Sequence, residues 1–537
     1  MKKLLCIMLI FMMMLTSGCV EKKVKPSTSR KYLVYNLGEL PPDLSMADND
    51  DARQKDLLLA LFEGLVREDK YGVIVPAMAE KYDITEDKIG YTFKLRENIH
   101  YSDGTVIKAR DFVKFFLDTL LEKNNIYAKE LYCIFGAEEF SMGKVNVDGV
   151  AIVAKDDLTL EIRLNSPNDY FLNILSNPVF TLRENNLNLK NWKDNYEEIK
   201  YSGPFIIKDV NQEAEITLRK NEDYWRAKEI VSNEMLFTSI KDEEKALADF
   251  ETAEITSTSK IDVFVSPPIS EVISLSMENK TEVIPSQSMY YLIFNLKTKN
   301  EADKEDILDL NFRNAISSTI DRELIIQTIS KDLAVPAINY TQFSGVDVDN
   351  SKLIFNVFGN RDKGKEYLKN STFDKKKLTM IYESENFDAK ISKEIAKYID
   401  DNLNIDVVCT GYEKDELQRV LANGNYDIVF SKIDDEYGDI YKFFSRWTSN
   451  SSYNIYGYNN LEYDKIIGNA IMENNNKNKI EMYKEAQQTL AKDLPCIPVY
   501  IGNTVICKRE NIKDIYTTKN GNLVFDYAYK EEGTTAK

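Results

Sequence analysis

The sequence predicts an α/β protein built from two or three domains. Runs with the pattern of buried strands alternate with runs whose apolar residues have helical spacing, and this alternation is typical of layered α/β folds. The chain has 537 residues, which is too many for a single hydrophobic core. Hydrophobic residues make up 43% and charged residues 29%, a balance that indicates a globular protein and not a disordered one.

The predicted strands are short apolar or alternating runs: Tyr32–Asn36, Tyr91–Arg96, Tyr290–Leu296, Leu378–Tyr382 and Tyr426–Phe430. Two prolines in Gly38–Asp43 end the first strand, because proline fixes φ and lacks a backbone donor. Ser102–Gly104 is predicted to be a turn, since aspartate and glycine favour turn geometry. The predicted helices carry an apolar stripe and span 55–65, 109–121, 312–329 and 391–403.

The N-terminus has the pattern of a bacterial lipoprotein leader. Two lysines precede 12 apolar residues, Leu4–Leu15, a run shorter than the roughly 20 residues of a membrane-spanning helix. Thr16–Cys19 then resembles a lipobox, in which the cysteine is lipidated and becomes the mature N-terminus. We therefore predict a signal peptide over 1–18, a lipid on Cys19 and a solvated tether over 19–30. An ordinary signal peptide or a buried first helix is the alternative.

Charge and histidine content exclude several classes of function. The net charge of −18 argues against nucleic-acid binding, because phosphates require a basic face. His100 is the single histidine, so histidine-dependent catalysis and multi-histidine metal sites lack their residues. The sequence has no P-loop, nucleophile elbow, dinucleotide fingerprint or zincin motif. We predict a protein that is not an enzyme and that uses no cofactor and no metal.

Four cysteines remain when Cys6 and Cys19 are set aside. They are widely spaced and stand mostly in apolar runs: Cys133, Cys409, Cys496 and Cys507. This placement predicts buried thiols that pack as small hydrophobes. A disulfide between Cys496 and Cys507, formed across a hairpin, is the alternative.

An acidic cluster follows the strand that ends at Phe430. It consists of Asp434, Asp435, Glu436, Tyr437, Gly438 and Asp439, and the aromatic residues Phe443, Phe444 and Trp447 come after it. In α/β layers, ligands bind at the carboxyl edge of the strands. A carboxylate there can hold a ligand ammonium group by a charge-assisted hydrogen bond. A solvated acidic loop or a calcium-like oxygen cluster is the alternative interpretation.

A series of landmarks in a fixed order resembles the family 5 extracellular solute-binding proteins, the oligopeptide- and dipeptide-binding receptors of ABC importers. The landmarks extend from residue 31 to about 515 and are Glu63–Val66, Gly72, Pro76–Glu80, Tyr91–Arg96, Ser102–Gly104, Ala109–Val113, Ser202–Phe205, Leu218–Trp225, Arg313–Ile316, Ile320–Arg322, Glu462–Asp464 and Ile497–Tyr500. Each motif is weak by itself, whereas the ordered set is specific.

The resemblance implies a two-lobed clamp, like the periplasmic binding proteins, with an extra domain inserted in the N-terminal lobe. The implied segments are 31–50, 168–285 and 499–530 for lobe one, 51–167 for the inserted domain, and 286–498 for lobe two. Two crossings between the lobes would form a hinge suited to domain closure.

The resemblance also implies ligand-binding positions. In the peptide binders, an aspartate in a pattern like Ala-Asp-Tyr-x-Asp-Pro holds the peptide amine. Here Tyr437 and Asp439 match, Glu436 stands at the amine-binding position, and Asp434 or Asp435 could take its place. The groove-lining segment of the relatives matches here at Glu39 and Leu40. Trp447 is a candidate because it flanks the acidic cluster, and the cation for the peptide carboxylate stays open among Arg446, Lys432 and Arg419.

The function implied is capture of short peptides by a monomeric, lipid-anchored receptor on the outer face of the bacterial cytoplasmic membrane. The receptor would deliver its ligand to the permease of an ABC transporter. One alternative is a receptor for a non-peptide solute such as a sugar, an opine or a metal chelate, with nickel poorly served by His100 alone. Another is a peptide-sensing lipoprotein without transport. A hydrolase that uses the acidic cluster has the least support.

Overall fold

A computed structural model of the chain describes residues 32–45, 51–122, 125–184, 186–211, 215–251, 261–297, 307–329, 333–341, 354–374, 377–384, 386–434 and 440–531. The predicted leader, lipidated Cys19 and tether lie outside these ranges, as do residues 435–439 of the acidic cluster.

The strands in chain order are β1 (Leu33–Asn36), β2 (Val66–Glu68), β3 (Ile74–Pro76), β4 (Ala79–Ile84), β5 (Gly90–Leu95), β6 (Ile152–Ala154), β7 (Thr159–Arg163), β8 (Phe205–Val210), β9 (Ile216–Lys220), β10 (Glu234–Thr238), β11 (Val263–Val265), β12 (Thr281–Phe294), β13 (Ala334–Pro336), β14 (Lys377–Glu383), β15 (Asp406–Tyr412), β16 (Ile428–Asp434), β17 (Cys496–Lys508), β18 (Ile512–Lys513), β19 (Tyr516–Thr517), β20 (Leu523–Val524) and β21 (Tyr529–Lys530).

The helices are α1 (Ala52–Leu61), α2 (Ala109–Leu121), α3 (Ala137–Ser141), α4 (Phe171–Ser176), α5 (Leu187–Lys190), α6 (Trp192–Asn195), α7 (Glu243–Glu251), α8 (Val272–Met277), α9 (Leu310–Thr319), α10 (Arg322–Ile329), α11 (Arg361–Lys369), α12 (Asn386–Leu403), α13 (Lys414–Asn423), α14 (Ile440–Ser445), α15 (Leu461–Met472) and α16 (Asn476–Asp493). Short 3-10 turns include Ala128–Cys133. Within the described ranges, none of the helices has the length and apolar character needed to cross a bilayer.

One sheet of eleven strands runs through the whole molecule. Its order is β15-β14-β16-β12-β17-β11-β1-β10-β9-β8, with β13 beside β17. The long strands β12 and β17 pair with each other over nearly their full length, so they form a two-stranded ribbon shared by both halves. A separate four-stranded sheet, β4-β5-β7-β6, lies within the segment whose sequence predicts an inserted domain.

The apolar side chains divide into two large cores that meet along this ribbon. The first joins residues 33–263 to part of the C-terminal segment, including Leu523 and Phe525. The second contains buried residues between Met289 and Tyr500. On β12, the division falls between Ile284, which packs on the first core, and Met289, which is buried in the second. The fold is a two-lobed α/β clamp, as the sequence predicts.

Most predicted elements are confirmed, and one helix is wrong. The helix over 109–121 has its predicted bounds, and Gly104 has a φ of +80° in the predicted turn. The single helix predicted over 312–329 is two helices, α9 and α10. Ile320 has extended backbone angles, and the Asp321 carboxylate accepts a hydrogen bond from the Leu324 N–H at 2.9 Å. The sequence predicts one helix here because its apolar residues keep a helical spacing across the break, since both helices pack on the same core.

The alternative disulfide between Cys496 and Cys507 is wrong. Both thiols are free and lie on the single strand β17. Eleven residues of extended chain separate their Cα atoms by roughly 36 Å, whereas a disulfide requires less than about 7 Å. Burial raises the pKa of the Cys507 thiol to about 12, so this group packs as a small apolar side chain.

Asp56 is a fully buried carboxylate that joins α1 to β1 and to the C-terminal segment. It accepts hydrogen bonds from the Tyr35 hydroxyl at 2.6 Å and from the Leu523 N–H at 2.8 Å. Arg53 lies 3.2 Å away. Burial raises the pKa of Asp56 to about 6, although Arg53 and the hydrogen bonds oppose the shift.

This raised pKa makes the stability of the fold depend on pH. An aspartate in the unfolded chain has a pKa of about 3.9, so the folded state binds the proton more tightly. The contribution of Asp56 is therefore complete below about pH 4 and is lost as the pH rises through about 6, with an amplitude of about 3 kcal/mol. Urea unfolding at pH 4 to 7 should show wild type losing stability relative to Asp56→Asn as the pH rises. Exposed Glu138, changed to Gln, should show no such trend, and the opposite slope would refute the assignment.

Candidate functional site

The β12–β17 ribbon joins the two halves of the eleven-stranded sheet, one half in each lobe. The strands beside the ribbon, β11 in lobe one and β16 in lobe two, end toward each other. In lobe one, β11 runs antiparallel to β17 and ends with Val265 opposite Ile506, and β1 lies parallel to β11. In lobe two, β16 runs antiparallel to β12 and ends with Asp434 opposite Ser288. Ligands of open α/β sheets bind outside the carboxyl ends of the strands. The register therefore places the candidate site between the lobes.

The ribbon sets the spacing of the two edges. Met289, the neighbour of Ser288 on β12, pairs with Ile501. Ile501 lies five residues along β17 from Ile506, the partner of Val265 at the end of β11, or roughly 17 Å of extended chain. A register shift between Pro285 and Met289 interrupts the ladder within this span. A bulge bends and twists a ribbon locally, so this is the part best suited to act as a hinge.

The lobe-one wall of the cleft is the loop that follows β1. Gly38 has a φ of +84°, which glycine adopts without strain. Most of the main chain around it is tied to the lobe: the Leu37 N–H donates to Thr238, the Ser239 hydroxyl donates to Gly38, and the Trp192 indole N–H donates to Pro41 at 3.2 Å.

Glu39 and Leu40 are the exception in this loop. Within the described ranges, their main-chain N–H and C=O groups have no hydrogen-bond partner. The Glu39 carboxylate is exposed and lies 2.8 Å from the Lys241 ammonium, whereas the Leu40 side chain is buried. Main-chain groups left unpaired beside a cleft are the kind that a bound extended chain can pair with.

The lobe-two wall is the end of β16 and the helix α14. Asp434 is the last residue of β16, at the carboxyl edge where the sequence places a ligand site. Asp435, Glu436, Tyr437 and Asp439 lie outside the described residues, between Asp434 and the first residue of α14.

The structure places Trp447 in the interior of lobe two and Arg446 against an aromatic ring. Trp447 exposes no surface and stacks on Tyr456 with ring centroids 6.1 Å apart, so its indole packs in the core and does not reach a ligand in this conformation. The Arg446 guanidinium lies over the Tyr453 ring, 4.9 Å from its centroid. Its Nε has no hydrogen-bond partner in the part of the chain that the structure describes.

The other two carboxylate-binding candidates stand apart from Arg446. Lys432 is exposed on β16, opposite Tyr290. Arg419 is exposed on α13. His100 forms a single bridge with Val106 beside the predicted turn. Over the described ranges, no group of three or more His, Cys, Asp or Glu side chains is arranged to hold a metal ion.

Sequence reasoning missed the side chains that join the lobes directly. Glu130 pairs with Lys442 at 3.0 Å, and the Tyr453 hydroxyl donates to the same carboxylate at 3.2 Å. A second contact joins Asp169 to Lys479. These residues belong to no motif and are far apart in the chain, so only their placement in the fold reveals them.

Comparison with known proteins agrees with this architecture. The model for the middle region of the bacterial extracellular solute-binding proteins, family 5, matches residues 73–454. The dipeptide-binding protein DppE of Bacillus subtilis is 26% identical over 522 residues, which cover 94% of this chain and 93% of that protein. The oligopeptide-binding protein OppA of the same organism is 24% identical, with 97% and 98% covered.

A solved structure shows the same fold. The murein tripeptide binding protein MppA of Escherichia coli is 24% identical and superposes with a TM-score of 0.75, over 94% of this chain and 99% of that one. Fold and family match therefore agree over most of the sequence. The chain belongs to family 5 of the bacterial extracellular solute-binding proteins, and it is an extracytoplasmic binding protein and not an enzyme.

Proposed function

We propose that this protein captures short peptides outside the membrane and delivers them to the permease of an ABC transporter. The observation that carries the proposal is the segment Glu39–Leu40 at the carboxyl edge of lobe one. Within the described ranges, its main-chain N–H and C=O groups have no hydrogen-bond partner. An extended peptide supplies main-chain donors and acceptors regardless of its side chains, so pairing there suits sequence-tolerant capture. The named functions of DppE and OppA support a peptide ligand.

The end charges of the peptide need partners on the opposite wall. We assign the α-amino group to Glu436, with Asp434, Asp435, Tyr437 and Asp439, its neighbours in the sequence, as further candidates. Arg446 is the candidate for the α-carboxylate, because its Nε lacks a partner in the described part of the chain and arginine binds carboxylates in a fork geometry.

The clamp closes by rotation of lobe two (286–498) against lobe one (31–50, 168–285 and 499–530) with its inserted domain (51–167). A hinge built from two strands allows such a rotation. We further propose that Cys19 carries a lipid and that residues 19–30 tether the monomeric clamp to the outer face of the membrane. The tether keeps the loaded clamp close to its permease.

Isothermal titration with a pool of di- to hexapeptides tests capture. Wild type should release or absorb heat with free-amine peptides, and Glu436→Gln should weaken their binding about tenfold or more, because a charge-assisted hydrogen bond is lost. N-acetylated peptides should be affected much less. Glu416→Gln, which removes an exposed carboxylate from α13, is the matched control.

Two outcomes of this titration would count against the proposal. Absence of heat at millimolar peptide would remove peptide capture, and equal losses for free and acetylated peptides would remove the role of Glu436. A non-peptide solute is the second candidate, favoured by Glu436 and Ile440 at positions where the peptide-binding pattern has Asp and Pro. Native mass spectrometry of the purified protein would identify a co-purified solute of that kind.

A further inference from the structure

Asn36, the last residue of β1, has a buried side chain that bonds to the main chain of the loop after β10. Its Oδ1 accepts from the Ile240 N–H at 2.9 Å, and its Nδ2 donates to the Ile240 carbonyl oxygen at 3.0 Å. The side chain is 6% exposed, and its Oδ1 also accepts from the Thr238 hydroxyl at 3.2 Å. One carboxamide therefore satisfies both main-chain groups of Ile240, as a neighbouring strand would.

The register of the sheet shows which main-chain groups this side chain replaces. β1 runs parallel to β10 with Asn36 opposite Thr238, and the Leu37 N–H donates to the Thr238 carbonyl oxygen at 2.9 Å. In a parallel ladder, every second residue of one strand bonds to two residues of its neighbour. The next step of this ladder would join the Leu37 carbonyl and the Glu39 N–H to the two main-chain groups of Ile240.

The ladder stops before that step. Among the described residues, the Leu37 carbonyl and the Glu39 N–H have no hydrogen-bond partner. Gly38 stands between them with a φ of +84°, and the Ser239 hydroxyl donates to its carbonyl oxygen at 3.2 Å. Because glycine adopts an extended conformation as readily, the chain at Gly38 does not by itself end the strand. The ladder ends because both groups of Ile240 are already bonded to the carboxamide.

We propose that Asn36 is a positioning residue for ligand capture, because its side chain ends the β1–β10 ladder and keeps the Glu39 N–H available to a ligand. The inference rests on the proposed function, in which an extended peptide pairs with the main chain of Glu39 and Leu40. Asn36 is buried and acts through the loop without touching the peptide. A donor that is held in place and unpaired before the ligand arrives binds more tightly than one that must first leave another partner.

Hydrogen exchange of the ligand-free protein tests this role without any peptide. The Glu39 amide should exchange rapidly in wild type because it has no partner. Asn36→Ala releases the Ile240 carbonyl, so the Glu39 amide should pair with it and exchange about tenfold more slowly. Asn36→Asp, which is isosteric and guards against a loss of folding, should act alike, since a carboxylate accepts from the Ile240 N–H but cannot donate to its carbonyl. Mass spectrometry with electron-transfer fragmentation resolves this amide.

Titration with peptides tests the effect of Asn36 on capture. Either variant should weaken the binding of free-amine and N-acetylated peptides alike, by about five- to tenfold, because one main-chain hydrogen bond is lost. Glu436→Gln, in contrast, should affect the acetylated peptides much less.

Asn221→Ala is the matched control for both measurements. This asparagine is 2% exposed, and its Nδ2 donates to the Gly203 carbonyl oxygen at 2.9 Å. It follows β9, which runs antiparallel to β10, so it lies at the opposite edge of lobe one. Its loss should lower the melting temperature and leave the exchange of Glu39 and the affinity for peptides unchanged.

The outcomes separate the role of Asn36 from the proposed function. Exchange of the Glu39 amide that is unchanged or faster in both Asn36 variants would overturn the inference, and so would slower exchange with unchanged affinity for peptides. A merely structural asparagine would lower the melting temperature without slowing this amide, which also counts against the inference. If exchange slows in the variants while wild type gives no heat with peptides, peptide capture fails and the control of the Glu39 amide by Asn36 stands.

Discussion

Replacement of Gly203 by alanine is expected to lower the free energy of unfolding by about 3 kcal/mol or more. An added Cβ would lie 2.5 Å from the carbonyl carbon of Leu61 and 2.8 Å from its oxygen, atoms at the end of α1. The Gly203 N–H also donates to this oxygen at 2.9 Å. Because the clash is with backbone and not with a flexible side chain, relief requires that α1 move away from the loop.

Gly468 provides the matched control for this substitution. It lies in the interior of α15, and nothing stands within 4 Å of the Cβ that alanine would add. Alanine has a higher helix propensity than glycine, so Gly468→Ala should stabilise the protein by about 0.5–1 kcal/mol. Urea unfolding followed by circular dichroism measures both variants. A Gly203→Ala protein as stable as wild type would show that α1 can shift freely.

The same glycine shows what the sequence can and cannot predict. Ser202–Phe205 was recognisable as a family landmark, and landmark order was sufficient to predict the clamp fold. The reason for glycine at 203 is its approach to Leu61, 142 positions earlier in the chain, which no local pattern contains. Gly104 is the opposite case, because its turn is local and its positive φ follows from neighbouring residue types.

Arg313 and Arg322, which lie in family landmarks, are buried charges whose partners the local sequence does not reveal. Arg322 is almost fully buried, and its guanidinium donates to the carbonyl oxygens of Pro498 and Asn356 with distances of 2.6–2.9 Å. Burial lowers its pKa to about 9. Arg313 donates in the same way to Ile307 and Asp493. Composition suggests surface positions for arginine, yet both hold helices to distant carbonyl groups, and their partners are known only once the chain is folded.

Some features of the candidate site could be predicted from local sequence, and others could not. Its place at the carboxyl edge of β16 followed from an acidic cluster after an apolar strand, since that relation is local. Trp447 is a candidate because it follows the acidic cluster in the sequence, and the structure places its side chain fully buried among the residues of the second core. The contacts between Glu130 and Lys442 could not be predicted, because single charged residues have no periodicity or spacing to mark them.

Asp526 is the centre of a buried charge cluster that fastens the C-terminal segment to lobe one. Its carboxylate is 1% exposed, forms an ion pair with Arg67 at 2.7 Å and accepts a hydrogen bond from Arg226 at 2.6 Å. Arg67 also pairs with Glu63 at 2.9 Å, and Tyr224 donates to that glutamate. Two cations thus face two anions in a largely buried cluster, and these four groups together are neutral. The Arg67 and Arg226 side chains are 12% and 14% exposed, and Arg226 also lies 3.6 Å from the exposed carboxylate of Glu229.

Removal of Asp526 should therefore cost far more than loss of a surface ion pair. Asp526→Asn leaves the two arginines with Glu63 as their one buried carboxylate, since Glu229 beside Arg226 is exposed, and an unbalanced buried charge costs about 3–5 kcal/mol. Glu531→Gln, which breaks the exposed Lys513–Glu531 pair of the same segment, should change stability by less than about 0.5 kcal/mol. Urea unfolding measures both variants.

A double variant separates charge balance from lost packing. Asp526→Asn combined with Arg226→Met removes one charge of each sign, so the cluster is neutral again and part of the lost stability should return. If the double variant is as unstable as the sum of the two single variants, the carboxylate acts through its local hydrogen bonds and not through charge balance. The distinction bears on closure, because the segment that Asp526 fastens continues from β17, and a loosened anchor would let the hinge ribbon move relative to lobe one.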